Sequence, residues 1–317
     1  MSKILVVVGA TGKQGGSVIT SILNDPKAKA QFSIRAITRD TSKPAAKALE
    51  EKGVETVSAD LGDKDSLVKA LQGAYAVFSV TDFWATMSRE IEYQQGKNVA
   101  DAAKTAGVQH FVWSTLINTS KSTNGKLTHI SHFDGKADIE EYIKSMDLPA
   151  SYYLPGFYAS NLPGSLLRKD DSTGKYVLNL PVKEDAQIPI VDIEKDTGKF
   201  VKAILLNREA TLGKYTYGTY AYLTPQQVVD GFKEAFPKAG EGATFQPISD
   251  ETYKGVLGNF GMPEPVQVEM LENMLLLNKE FGYYAGADLK ESLSIVTDKL
   301  VTWPEYLKTV PAFKDLE

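Results

Sequence analysis

The sequence predicts a doubly wound parallel α/β sheet with a smaller α+β lobe at its C-terminal end, on three observations. The first is the start of the chain. An unbroken apolar run, Ile4-Leu5-Val6-Val7-Val8, leads into Gly9-Ala10-Thr11-Gly12-Lys13-Gln14-Gly15-Gly16 and then into Ser17-Val18-Ile19-Thr20-Ser21-Ile22-Leu23. Five apolar residues without polar alternation describe a strand buried on both faces, and Val18, Ile19, Ile22 and Leu23 share one helical face. The second is the recurrence of strand-like runs about every 20 to 35 residues with helical stretches between them, the mark of a parallel sheet. The third is a change of character after Pro155, where Gly and Pro punctuation and clustered aromatics replace that rhythm.

Taken in order, the second strand is Phe32 to Ile37, and Ser42-Lys43-Pro44 opens a helix that Gly53 closes. Val54 to Ala59 forms the third strand. Asp63 caps a helix carrying Leu67, Val68 and Leu71, and Ala74 to Val80 is the fourth strand. A helix over 89–106, stopped by Gly107, precedes the strand Val108 to Trp113. Residues 131–146 read as a helix and Ala150 to Leu154 as a strand. Residues 1–154 thus form the Rossmann-type domain, with 187–204 returning to it. The rest of 155–317 forms the smaller lobe, mainly from 155–185 and 205–285. Met270, Leu271, Met274, Leu275 and Leu277 make an apolar helical stripe that reads as core, with a pocket wall as the alternative.

Composition narrows the function. Of 317 residues, 43% are hydrophobic and 24% charged, the balance of a folded globular protein rather than a disordered one. A net charge of −5 without a basic stripe gives no footprint for direct nucleic-acid binding. The absence of cysteine removes disulfides, zinc-thiolate sites and cysteine nucleophiles. Met1-Ser2-Lys3 leads straight into the first strand, and no apolar run approaches a membrane span. A cytoplasmic location, with the nucleus as a second compartment, is the expectation.

The glycine loop points to a dinucleotide. Side-chain-free positions at Gly9, Gly12 and Gly15 allow a tight turn, close approach of a pyrophosphate to the backbone, and close packing of helix on strand. Thr11, Lys13 and Gln14 complete the loop, and the unpaired amides of the helix start favour an anion. At the end of the second strand, Arg39 is suited to a 2′-phosphate and to the adenine face, with Lys43 adding a further charge. This favours NADP(H). Asp40 is the counter-signal, because an acidic residue here binds a ribose 2′-hydroxyl and would read as NAD(H). Val80-Thr81-Asp82 ends the fourth strand beside the expected cofactor ribose, followed by Phe83 and Trp84 as pocket candidates.

The Gly-x-x-Gly-x-x-Gly spacing resembles the short-chain dehydrogenase/reductase superfamily, and further motifs make the likeness specific. Thr38-Arg39, Ala59-Asp60-Leu61, His132-Phe133-Asp134-Gly135-Lys136, Leu154-Pro155-Gly156-Phe157-Tyr158 and Val191-Asp192-Ile193 together resemble the NmrA-like family of atypical members, over about the first 200 residues. The resemblance implies that Asp60 and Leu61 contact adenine and that Pro155, Gly156, Phe157 and Tyr158 border the cofactor. In typical reductases a Tyr-x-x-x-Lys helix carries the proton donor and the ribose-binding lysine. Here Lys136 is present and His132 stands in the tyrosine's place, next to it on one helix face. The neighbouring ammonium disfavours imidazolium. Ser114 matches the hydroxyl that reductases keep after the fifth strand, although a plain strand-end serine is the alternative.

The resemblance implies an NADP(H)-binding regulator that senses cofactor state and signals through a protein partner. The alternative is an NADPH-dependent reductase of a quinone, enone or other hydrophobic carbonyl compound, as a monomer or homodimer in either case. A pocket lined by Phe83, Trp84, Phe157, Tyr158, Tyr283 and Tyr284 would favour the reductase, and an open aromatic surface a partner. His129 and His132 lack the further ligands a metal site needs, and there is no Gly-x-Ser-x-Gly elbow of a serine hydrolase.

Overall fold

The computed structural model describes residues 2–317, so the expectation resting on Met1 lies outside the described residues. Strands β1 (Lys3–Val7), β2 (Phe32–Thr38), β3 (Glu55–Ser58), β4 (Ala74–Ser79), β5 (His110–Ser114) and β6 (Ala150–Pro155) follow the expected order. Short strands β7 (Phe157–Tyr158), β8 (Leu167–Lys169), β9 (Tyr176–Leu180), β10 (Ile190–Val191), β11 (Tyr215–Gly218) and β12 (Thr244–Pro247) come after them. The main sheet has seven parallel strands in the order β11-β6-β5-β4-β1-β2-β3. Strand order reverses between β1 and β4, which opens a crevice at the carboxyl ends of these strands, where such sheets hold their ligands.

Strand β1 is buried on both faces, as its uniform apolarity requires. Leu5 and Val7 point into one core with Val18, Ile19, Ile22 and Phe200, whereas Val6 and Val8 point into the other, the alternation of a pleated strand. The first core lies under the helix Lys13–Asn24 and the helix Thr197–Leu206. These two helices approach closely because residue 198 is glycine: a Cβ there would sit 2.1 Å from the Ser17 carbonyl oxygen. The helix Thr197–Leu206 thus packs against the first helix, while Ile190 and Val191 pair with Phe157 and Tyr158.

Three departures from the sequence expectation have local causes. Tyr215–Gly218, in a stretch expected within the smaller lobe, is instead the edge strand of the main sheet, paired with β6 from Tyr152↔Tyr215 to Pro155↔Gly218. Its Tyr-Thr-Tyr-Gly sequence alternates and is short, so it lacks the signature of a buried parallel strand. A helix over Pro26–Gln31 was not expected, although Asp25 caps it and Pro26 occupies its first turn. Finally, the lobes share one continuous core that runs from Val6 and Trp113 to Trp303 and Phe313.

The smaller lobe contains the sheet β12-β9-β8 and the helices Pro225–Ala235, Asp250–Asn259 and Glu264–Leu275. Leu271, Met274 and Leu277 are buried, so the stripe is core. No helix among the described residues is long and apolar enough to cross a membrane.

Candidate functional site

The glycine loop is built from backbone. Gly9 adopts φ +70°, and the Gly12 amide donates to the Gly9 carbonyl at 2.9 Å to close the turn. A Cβ at Gly15 would lie 2.2 Å from the Gly9 oxygen, so this glycine lets the helix start pack directly on the loop. Gly12 is the N-cap of the helix Lys13–Asn24, and no side chain caps that end. Its leading amides are therefore left for an external acceptor, with Thr11, Gly12 and Lys13 exposed around them. A Cβ at Gly9 would meet Val80 Cγ1 at 2.9 Å, which places the end of β4 against the loop. This cradle, with amides free and side chains absent where a pyrophosphate would lie, fits a dinucleotide.

The adenosine side follows. Arg39 is exposed, and its guanidinium has no ion-pair or hydrogen-bond partner among the described residues. Asp40 is committed locally: Oδ1 accepts from the Ser42 amide at 2.9 Å and from the Ser42 hydroxyl at 2.6 Å, with Lys43 Nζ 4.0 Å from Oδ2. The Ser42 hydrogen bonds hold the Asp40 carboxyl below the usual carboxylate range. Asp60 is exposed and accepts from the Gly62 amide at 2.7 Å, while Asp63 caps the following helix as expected. Leu61 is fixed by its carbonyl, which accepts from Asn98 Nδ2 at 2.8 Å.

Opposite in chemical character is a buried charged cluster. Lys136 is 8% exposed and Glu92 fully buried, and Lys136 Nζ donates to Glu92 Oε1 in a direct ion pair. The same oxygen accepts from the Thr81 hydroxyl at 2.7 Å, leaving Glu92 Oε2 buried without a partner. Sequence reasoning missed Glu92. The signal was present, because Glu92, Gly96, Val99 and Ala103 share one buried face of the helix Arg89–Thr105.

One turn from Lys136, His132 Nδ1 lies 2.5 Å from Glu269 Oε1, which also accepts from the His132 backbone amide at 3.0 Å. A carboxylate only accepts, so Nδ1 carries the ring proton. Burial, aided by the Lys136 charge and opposed by Glu269, pushes the His132 pKa below the usual histidine value and keeps the ring neutral. In a neutral ring with the proton on Nδ1, Nε2 is bare. His129 is held in the same way by Glu272, at 2.6 Å. No group of three or more His, Cys, Asp or Glu side chains among the described residues is arranged to hold a metal ion.

Ser114 is fully buried and donates to Gln14 Oε1 at 2.8 Å, and Gln14 Nε2 donates to Tyr158 Oη at 3.1 Å. Gln14 thus ties the glycine loop to the strand ends β5 and β7. Pro155 and Phe157 are buried. Gly156 lets three chain segments meet, since a Cβ there would lie 2.1 Å from the Pro189 oxygen and 3.1 Å from that of Gly218.

Beside these groups an open cleft of about 610 Å³ is lined by Phe83, Trp84, Met87, His129, Val268 and Glu269, among others. Phe83 and Trp84 pack edge to face at 5.1 Å, and the Trp84 ring lies 5.1 Å from the His132 ring. Asp82, just before them, is exposed. Phe157, Tyr158, Tyr283 and Tyr284, expected in a pocket wall, lie outside this lining: Phe157 is buried, Tyr158 is held by Gln14, Tyr283 is buried against Phe133 at 5.3 Å, and Tyr284 is buried and donates to the Leu154 carbonyl at 3.1 Å. The hydroxyl pKa values of Tyr283 and Tyr284 are raised by burial.

Sheet order, glycine cradle and crevice together define a Rossmann-type α/β protein with a dinucleotide-shaped site. The NmrA-like family model matches residues 1–307, and the chain belongs to the NmrA-like family. It is similar to the NmrA-like family domain-containing oxidoreductase hkm9 of Aspergillus hancockii, 29% identical over 318 residues that cover 95% of this chain and 90% of that one. The fold matches NmrA, a negative transcriptional regulator, in its complex with NADP, with a TM-score of 0.78, 20% identity and coverage of 99% and 97%. It also matches triphenylmethane reductase of Citrobacter sp. complexed with NADP(H), with a TM-score of 0.73, 21% identity and coverage of 96% and 99%.

Proposed function

We propose that this protein is an NADPH-dependent oxidoreductase that reduces a quinone or another hydrophobic carbonyl compound in the cleft walled by Phe83 and Trp84. The observation that carries this reading is the position of that cleft. Its aromatic wall contacts His132, one helical turn from the buried Lys136–Glu92 pair. A buried ion pair costs desolvation energy and is weak as a device for stability, so its place beside a cleft supports a role in the site. The name of hkm9 as an oxidoreductase, and the NADP(H) complex of triphenylmethane reductase, agree with it.

In this reading the amides around Gly12 take the pyrophosphate, while Arg39 and Lys43 take the 2′-phosphate. Asp60 and Leu61 border adenine, and Val80, Thr81 and Asp82 flank the ribose. Lys136 has one proton on Glu92 and two left to hold ribose hydroxyls. Asp40 is engaged with Ser42, which weakens the case for NAD(H) as the preferred cofactor. Bound in this cradle, NADPH supplies a hydride.

The test is NADPH oxidation with a panel of quinones and aromatic ketones, beside affinities for NADPH, NADP⁺ and NADH. Turnover of about 1 per second or faster supports the enzyme. None across the panel rejects it. A second reading, a regulator that reports cofactor state to a protein partner, draws on the openness of the cleft, whose rim exposes 45% of Trp84 and 61% of Met87. It requires different affinities for NADPH and NADP⁺ and a cofactor-dependent change in oligomeric state or partner binding.

A further inference from the structure

The cleft beside His132 carries a charge that the fold leaves unanswered. Glu269 lines it and is 7% exposed, and the two N–H groups it accepts, from the His132 backbone and ring, both end on one oxygen, Oε1. Oε2 accepts no hydrogen bond among the described residues, and it is not one of the polar atoms shut away from solvent. No counter-charge stands nearby. The His132 ring is neutral because burial lowers its pKa, and Lys136, one turn away, is paired with Glu92. No lysine or arginine lines the cleft, and its other carboxylate, Glu264, is exposed with no ion-pair partner among the described residues. His129, the remaining titratable group of the lining, is held by Glu272.

Orienting a neutral imidazole does not require this charge. The carbonyl of a glutamine would accept from the same two N–H groups without the desolvation cost of a buried carboxylate. A carboxylate with one oxygen engaged and the other free, in a cleft walled by aromatic side chains, is suited instead to an ammonium group. The aromatic part stands next to it. His132 separates Glu269 from Trp84 by one ring, the Trp84 ring lying 5.1 Å from that of His132 and edge to face with Phe83. Trp84 is 45% exposed, so part of its indole remains open to a cation.

We propose that the substrate of this cleft carries a positive charge: it is an aromatic carbonyl compound with a protonated amine, whose N–H donates to Glu269 Oε2 beside the Trp84 indole. The proposal rests on the reductase reading above for the fate of the carbonyl, whereas the charge preference of the cleft is a binding property independent of turnover. Glu269 is then the residue that sets specificity, and Glu264 adds attraction for cations and repels aromatic anions of the same shape.

Three para-substituted acetophenones separate charge from size: the dimethylaminomethyl compound, protonated at neutral pH, the isobutyl compound, its neutral isostere, and the carboxymethyl compound, an anion. Affinities are measured by calorimetry with NADP⁺ present, and NADPH oxidation is followed with each. The native protein should bind the amine at least about tenfold more tightly than the isobutyl compound, and the anion most weakly. Glu269→Gln keeps an acceptor for His132 and should bring the amine and isobutyl affinities within about threefold of each other. A smaller native ratio, or no measurable binding of the amine, overturns the proposal whatever the turnover. So does a native ratio that Glu269→Gln leaves unchanged. A preference abolished by Glu269→Gln, together with no NADPH oxidation across the quinone and ketone panel, keeps the amine site and overturns the reductase reading. Should Glu269→Gln fold poorly, Trp84→Leu is the second variant. Loss of the cation–π contact should cut the ratio of amine to isobutyl affinity about threefold or more, and an unchanged ratio overturns the proposal.

Discussion

The glycine loop and the charged cluster around Lys136 are two regions of the proposed site with opposite construction. At the loop, residues 9 to 15 make a cradle from amides and absent side chains, and the hydrogen bond that closes its turn, from the Gly12 amide to the Gly9 carbonyl, is local. At the cluster, long side chains meet from far apart in sequence: Lys136 and Glu92 are 44 residues apart, His132 and Glu269 are 137. The loop offers unpaired donors to solvent, whereas the cluster takes charges out of it. The loop should therefore tolerate a side chain in its ligand space without loss of fold, and the cluster should lose stability when one charge is removed.

The largest effect expected from this contrast is at Glu92. Glu92→Leu leaves Lys136 buried without its partner and should cost about 3 to 5 kcal/mol, read as a lower urea midpoint with an unchanged m-value. Removing the second charge as well, in Glu92→Leu/Lys136→Met, should recover most of that loss. A single variant as stable as the native protein would show that the pair is not desolvated.

At the loop the pattern should invert. Gly12→Val should weaken NADPH binding more than about 100-fold while stability changes by about 1 kcal/mol or less, because a Cβ at Gly12 has only the Gly9 oxygen, at 3.3 Å, within reach. Gly15→Ala drives a methyl into backbone and should cost about 1 to 3 kcal/mol. Tight NADPH binding by folded Gly12→Val would remove the loop from the cofactor site.

Smaller still is the selectivity effect of Arg39→Ala, about 1.5 to 3 kcal/mol of NADP affinity and far less of NAD affinity. Equal losses by titration would assign selectivity elsewhere. The smallest is a pH effect. Because burial lowers the His132 pKa in the folded protein, the unfolded chain takes the proton first. The stability owed to the neutral ring is complete above about pH 6.5 and falls as pH drops from there toward the folded value. Urea midpoints between pH 7 and 5 should fall less steeply in His132→Asn than in the native protein, and parallel slopes would refute the assignment.

The same contrast decides what could be read without the structure. Strands β1 to β6 and the cradle were legible because their signals are local: apolar runs, glycine spacing, and a proline or an aspartate at a helix start. Glu92 was not, because a glutamate beside Arg89 and Glu90 looks like part of a solvated face until Lys136 arrives from another helix. Glu269 is hidden for the same reason, in a helix whose apolar stripe was recognised and whose buried carboxylate was not. Motif comparison found Lys136 and His132, but where their protons lie depends on partners that no motif spells out. Tyr283 and Tyr284, chosen as aromatics for a pocket, are packing residues, since aromatic identity alone does not distinguish a wall from a core.

The edge strand β11 has a consequence for synthesis. A chain leaving the ribosome completes β6 well before its outer partner exists; Tyr152, for example, pairs with Tyr215, 63 residues further on. Until that stretch emerges, the outer edge of β6 offers unpaired N–H and C=O groups to any passing strand. Residues 1–154 expressed alone would carry this defect permanently and are expected to aggregate. The nascent chain carries it for only a few seconds, at roughly 5 to 20 residues per second, which makes this interval the point at which a chaperone would matter most.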